Sequence, residues 1–200
     1  MTIEILANMF IQNTLSMLDR VKDSITVWDW DGTLTKFKYA ENSLLPCRDD
    51  EIYEYSKAHN IYADAKILAI MQYIISQLPK ERVFILTRTE ITLIDKKNEC
   101  ILKHFDILPE NIYHVQDAHR KLEVLDALHS RFNEDIVFVE DTFKTILNAE
   151  EAMPFVHGIH ISEFLVYSHP ALSGGRDFSF APNWYILLTT RVKYGIMIQS

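Results

Sequence analysis

Asp29 and Asp31, one residue apart and followed at once by Gly32, are the part of this sequence best equipped for chemistry. They close the run Ile25-Thr26-Val27-Trp28, whose β-branched and aromatic residues read as a buried strand. Side chains alternate along an extended segment, so both aspartates would leave on the same side if strand geometry continues through them. Gly32 then lets the backbone turn sharply. Two like charges this close repel, and burial worsens the repulsion. A hard cation such as Mg²⁺ relieves it, because it takes carboxylate and carbonyl oxygens. The plainer reading of the same residues is a strand-to-turn transition, where Asp and Gly are common for backbone reasons alone.

The elements that would hold such a loop follow along the chain. Residues 3 to 21 carry Ile3, Leu6, Ala7, Phe10, Ile11, Thr14, Leu18 and Val21 at helical spacing, which predicts an amphipathic helix ahead of the first strand. Lys36 to Asp50 is polar and irregular, and reads as a flap or loop. Residues 51 to 78 read as helical, with a break near His59-Asn60 and an apolar stripe of Ile67, Ile70, Met71, Ile74 and Leu78. Pro79 ends that helix. Arg82 to Leu86 is a second buried strand that runs into Thr87. A helix over 90 to 105 shows the face Leu93, Ile94, Lys97, Ile101 and His104-Phe105. Ile112 to Val115 is a third strand, and Asp117 is placed to cap a helix from Ala118 to Ser130. Ile136 to Val139 is a fourth strand ending in Glu140-Asp141. A helix follows through Ala152, and Phe155 to Ile161 is a fifth strand. Alternating strands and helices predict an α/β three-layer sandwich with a central, mainly parallel, Rossmann-like sheet. In such sheets ligands sit beyond the carboxyl ends of the strands. Asp29, Thr87 and Asp141 all lie there.

Composition narrows the function classes. The chain has 200 residues, 48% hydrophobic and 24% charged, as in a globular protein with one sizeable core. A net charge of −8 with no Lys/Arg run argues against a nucleic-acid footprint. It does not exclude an anionic substrate, since a bound cation can set the local field. Cys47 and Cys100 form no C-x-x-C pair and suggest a reducing compartment. No apolar run is long enough to span a bilayer, and the N-terminus lacks the basic head and apolar core of a secretory signal. The expected location is therefore cytoplasmic. Residues 165 to 200 are less regular, with a loop signal at Ser173-Gly174-Gly175, and could lead into a further domain.

The full run Asp29-Trp30-Asp31-Gly32-Thr33-Leu34-Thr35 resembles the first motif of the haloacid dehalogenase-like (HAD) superfamily. Three further motifs are similar and occur in the same chain order. Thr87, closing Phe84-Ile85-Leu86-Thr87, resembles the second. Lys121, opening Lys121-Leu122-Glu123-Val124-Leu125, resembles the third. Glu140-Asp141 resembles the acidic fourth, although two aspartates are frequent there. The resemblance spans roughly residues 24 to 161, with residues 1 to 21 as an N-terminal helix and 162 to 200 as an extension of a single domain.

What the resemblance implies is a Mg²⁺-dependent phosphomonoester hydrolase. Asp29 would attack the phosphoryl group and carry it as an aspartyl-phosphate. Asp31 would protonate the leaving oxygen and later deprotonate the attacking water. Asp29, Asp31 (also through its backbone carbonyl) and Asp141 would hold Mg²⁺, with Glu140 behind Asp141 or in its place. Thr87, Lys121 and backbone N–H groups near Trp30 would cradle the phosphate. Taken singly, Thr87 reads as a helix cap, Lys121 as a solvated helix charge with Arg120 as its rival, and Glu140-Asp141 as a strand-end turn. His104, His114 and His119 lack metal-ligand spacing and read as structural or surface residues. Trp28 and Trp30 read as core and site wall.

The superfamily's dehalogenases lack the second acid–base aspartate, so Asp31 favours phosphoryl chemistry. Cap domains select substrates in this superfamily. The segments on either side of Thr87 leave room for little or no cap, and hence for an open site. Open sites in the family often serve macromolecules, which makes a phosphoprotein, with phosphotyrosine as a candidate, the expected partner. Small phosphometabolites or nucleotides are the alternative. A HAD-fold adaptor that meets a partner or a membrane through a downstream region is a third reading.

Overall fold

The computed structural model describes residues 15, 18–36, 56, 59–63 and 65–163. Most of the expected N-terminal helix, most of the Lys36–Asp50 flap and nearly all of the 162–200 extension lie outside the described residues. So does the segment on which the expectation of little or no cap chiefly rests.

Five strands form one wholly parallel sheet: β1 (Ile25–Trp28), β4 (Val83–Arg88), β5 (Ile112–Val115), β6 (Ile136–Glu140) and β7 (Val156–His160). Their spatial order is β5-β4-β1-β6-β7, so the chain builds outward from β1 to one side and then returns to build on the other. The order reverses between β1 and β6, and in open α/β sheets ligands sit beyond the carboxyl ends of the strands at such a point. Among the described residues, four α-helices with both ends placed lie between strands: α1 (Ala69–Ser76), α2 (Ile94–His104), α3 (Arg120–Phe132) and α4 (Phe143–Ala152).

The alternation of side chains along β1 divides the core. Ile25 and Val27 point to one face and join Phe84, Leu86, Phe138, Leu125 and Leu128 of α3, and Ala149 of α4. Trp28 points to the other and joins Ile85, Val139, Met71 and Ile74 of α1, and Cys100 and Ile101 of α2. The central strands are apolar on both faces because both are covered by helices. Full burial of residues such as Phe84, Ile85 and Leu86 is worth about 1.5–3 kcal/mol each relative to exposure.

The expected α/β architecture and all five sheet strands are present, with boundaries shifted by two residues or fewer. The segment 51–78 differs. Beyond the expected break near His59-Asn60 the helix begins only at Ala69, because Lys66–Ile67 (β3) pairs antiparallel with Thr35–Lys36 (β2), Thr35 opposite Ile67. The Leu68 N–H also donates to the Leu34 carbonyl at 3.0 Å. The turn that follows Asp31 leaves Thr35–Lys36 extended. Pairing with that stretch outweighs the helical periodicity of Ile67 and Ile70. No helix of the described residues is long and apolar enough to cross a membrane.

Candidate functional site

Asp29 leaves the end of β1 beside the end of β6. The parallel register sets Trp28 next to Val139, and the Asp29 N–H donates to the Val139 carbonyl at 2.8 Å. Asp29 therefore lies alongside Glu140 and Asp141. One ligand oxygen from each of these three carboxylates lies within 4.8 Å of the others. Asp29 is 4% exposed and Glu140 2%, while Asp141 is more open.

Lys121 reaches them from the first turn of α3. Its Nζ donates to Asp29 Oδ1 and to Glu140 Oε2, both at 2.6 Å. Asp117 does not cap this helix as expected: His119 is the N-cap residue, and Asp117 accepts the His119 N–H at 2.9 Å in the turn before it. Arg120, the rival cation, is exposed, whereas Lys121 is buried. Burial works against the charge on Lys121, but Asp29 and then Glu140 outweigh it and hold its pKa above the ordinary lysine range. Burial pushes Glu140 upward, and the charge of Asp29 adds to this despite the opposing pull of Lys121. The same two causes, in the same order, raise Asp141.

Charge balance tests whether a divalent cation fits. Three ionised carboxylates (−3) and one ammonium (+1) leave −2 in a largely buried space. Such an excess is costly unless protons or a metal compensate it. The donors are all carboxylate oxygens, which suit Mg²⁺. Gly32 supplies a second sign of fit. It has φ +84°, and a Cβ built there would fall 2.1 Å from Asp141 Oδ2. Only glycine lets the loop and this carboxylate share the space.

Asp31 is placed differently from the expectation that it would project beside Asp29. Strand pairing stops at Trp28, and the chain turns. Leu34 and Thr35 donate their N–H groups to the Trp30 carbonyl at 3.0 and 3.2 Å, and the Thr35 hydroxyl donates to it as well. With strand alternation broken, Asp31 Oδ2 meets Lys97 Nζ at 2.6 Å, on α2. The two lysines approach from opposite faces of the sheet, since α2 and α3 pack into different cores. The Asp31 side chain is also not one of the three grouped carboxylates. Burial raises its pKa; Lys97 lowers it and Asp29 raises it further, for a net rise.

Thr87 sits within β4, fully buried, rather than capping a helix. Its hydroxyl oxygen accepts from Lys97 Nζ at 2.9 Å. Trp30 is wholly buried, its indole edge-on to Phe105 with ring centroids 5.6 Å apart. Its side chain is core, which leaves only its backbone for any contact with a ligand. His114 is structural: it bonds to Thr89 Oγ1 and Asn98 Oδ1, and burial, helped by Lys97, takes its pKa down to about 4. His160, not singled out in the sequence, donates from Nε2 to the Asp141 carbonyl at 2.7 Å. Its Nδ1 accepts the Ser162 N–H, which fixes that tautomer for the neutral ring.

The structure thus brings Asp29, Lys121, Glu140 and Asp141 together, and sets Asp31 and Thr87 around a second cation. Lys97 is the site residue that motif reading passed over. Its signal was a lysine within the apolar stripe of α2.

No family model matches the chain, and no curated protein matches it. Among solved structures, DsGPDH of Dunaliella salina is similar at 17% identity and a TM-score of 0.44, over 70% of this chain. The chain spans 24% of that structure's length.

Proposed function

We propose that this chain is a Mg²⁺-dependent phosphomonoester hydrolase that works through an aspartyl-phosphate on Asp29. One observation carries the reading. A buried Asp29, tied to Lys121 beside Glu140 and Asp141, sits two residues from a carboxyl held apart by its own lysine. Two aspartates in such different settings can take different roles, one as nucleophile and one as acid and base.

In the first step an Asp29 oxygen attacks phosphorus as the bond to the leaving oxygen breaks. The Asp31 carboxyl gives its proton to that oxygen, and the alcohol departs. The upward displacement of Asp31 favours its protonated form. In the second step Asp31, now ionised, takes a proton from water. The water oxygen bonds to phosphorus, the bond to Asp29 breaks, and phosphate leaves. Lys121 uses two of its donors on carboxylates, which leaves a third for a phosphate oxygen. The Thr87 hydroxyl is a second donor. Asp29, Asp141 and Glu140 would hold Mg²⁺, together with the Asp31 carbonyl that the HAD resemblance implies. The metal would supply positive charge against the phosphoryl oxygens.

Phosphate release from a panel tests this, with wild type and Asp29→Asn compared with and without EDTA. The panel would hold phosphotyrosine, phosphoserine and phosphothreonine peptides, sugar phosphates and nucleotides. Turnover that needs Mg²⁺ and falls about 10³-fold or more in Asp29→Asn is expected. Selective peptide turnover would support a phosphoprotein substrate, and turnover confined to a metabolite would replace that substrate class. Equal turnover by Asp29→Asn would sink the mechanism.

A further inference from the structure

Lys97 is fully buried, which is rare for lysine unless its charge is partnered. An ammonium has three donors and no acceptor. Here the three are placed on Asp31 Oδ2 at 2.6 Å, Thr87 Oγ1 at 2.9 Å and the Arg88 carbonyl at 3.0 Å. The Tyr62 ring lies over it, its centroid 5.3 Å from Nζ. The ammonium is therefore saturated and walled in, and has no donor to offer a ligand.

Its effect falls on the two groups it holds. A hydroxyl that accepts from Lys97 must send its own hydrogen elsewhere. The Thr87 hydroxyl donates to the Arg88 carbonyl, which also accepts from Lys97, but only at 3.5 Å, the long limit of a hydrogen bond. A closer phosphoryl oxygen would draw the Thr87 hydrogen away from that weak bond. Asp31 is fixed by one oxygen, Oδ2. Its Oδ1 is enclosed and has no hydrogen-bond partner among the described residues, so of the two oxygens it is Oδ2, the one Lys97 holds, that can meet a substrate.

We infer that Lys97 is a positioning residue: one ammonium orients Asp31 as acid and base and sets Thr87 as a hydrogen donor to the phosphoryl group. This rests on the phosphoryl-transfer reading above. It joins the first and second motifs through a helix that neither contains. A residue that merely stabilised the fold would affect all substrates alike. A residue that orients the proton donor affects most those leaving groups that need the proton.

The experiment uses the full chain in Mg²⁺ and compares wild type with Lys97→Met on p-nitrophenyl phosphate and on glycerol 2-phosphate. The aryl oxide departs with little help, whereas the alkoxide requires a proton. The expected fall in kcat/KM, which reports the transfer to Asp29 and not the shared hydrolysis step, is about 10²–10³-fold for the alkyl ester and about tenfold for the aryl ester. An equal fall on both would overturn the positioning role while leaving the phosphatase reading intact. A wild type that turns over neither ester, nor any member of the wider panel, would overturn the phosphatase reading and this inference with it.

A second measurement needs neither activity nor a Lys97 variant. The side-chain ammonium ¹H–¹⁵N resonance of Lys97 is recorded in wild type, Thr87→Val and Asp31→Asn, without metal. A slowly exchanging ammonium signal that shifts in both variants is expected. A signal unmoved by either would refute the shared clamp.

Discussion

Replacing Gly32 by alanine should separate backbone strain from metal-site crowding. At φ +84° any residue with a Cβ adopts the left-handed region, at a cost of about 1–2 kcal/mol. The added Cβ would also lie 2.1 Å from Asp141 Oδ2 and 2.9 Å from Asp141 Cγ. Ordinary contact begins near 3.4 Å, so the carboxylate oxygen must retreat by 3.4 − 2.1, or 1.3 Å. Asp141 is partly open and can swing toward solvent without disturbing the core. The stability loss should therefore stay near the backbone cost, a fall in Tm of about 2–8 °C. The larger effect should be on Mg²⁺ affinity, since one of the three carboxylates is displaced.

Calorimetric Mg²⁺ titration together with thermal melts of wild type, Gly32→Ala, Asp141→Ala and the double variant would check this. Stability effects should add. Metal effects should not, because once Asp141 is gone the alanine at position 32 has no carboxylate to displace. A Gly32→Ala protein that binds Mg²⁺ as tightly as wild type would refute the crowding. An unchanged Tm would refute the strain.

Three other perturbations have defined outcomes. Burial and the charge of Asp29 lift Glu140 and Asp141 in the metal-free fold, so the folded state holds protons that the unfolded chain releases above about pH 4. Metal-free stability should fall as pH rises from there toward the raised folded values. Mg²⁺ should bind more tightly over the same window with proton release, and calorimetry in buffers of different ionisation enthalpy reads both. Lys121→Met leaves Asp29 and Glu140 buried without their counter-ion, and urea unfolding at neutral pH should show a loss of about 3–5 kcal/mol that Mg²⁺ partly restores. Gly158→Ala would set a Cβ 2.1 Å from Ile146 Cγ2, and overpacking β7 against α4 should cost about 1–3 kcal/mol by the same assay.

The strands were legible because each is a short apolar run with a polar break, and β1, β4 and β6 are apolar on both faces. That pattern also made Asp29, Thr87 and Glu140-Asp141 legible as a group, since strand ends in a parallel sheet converge. Lys121 was legible only through the motif resemblance, since by its place at a helix start alone it read as a solvated charge with Arg120 as its rival. The direction of Asp31 was not legible, because alternation holds only through Trp30, which shares the core of Trp28, and the turn through Gly32 decides where the Asp31 side chain goes. Two-residue strands such as Thr35–Lys36 and Lys66–Ile67 are too short to show a period, and their pairing is set by tertiary geometry. Lys97 lay in plain view on the buried face of its helix. Periodicity says which positions face inward, but not which carboxylate or hydroxyl a buried charge will meet.

The distances in sequence across the site have a consequence for synthesis. Asp31 and Lys97 are 66 residues apart, and Asp29 and Lys121 are 92 apart. As the chain leaves the ribosome, the β1 carboxylates therefore wait for both of their cations, and Glu140 and Asp141 come later still. No N-terminal fragment that stops before β6 can hold the finished constellation. Long loops must close before these contacts form, so the site is assembled late. Catalytic competence in this chain would then report that the last central strand has docked, which makes activity itself a probe of completed folding.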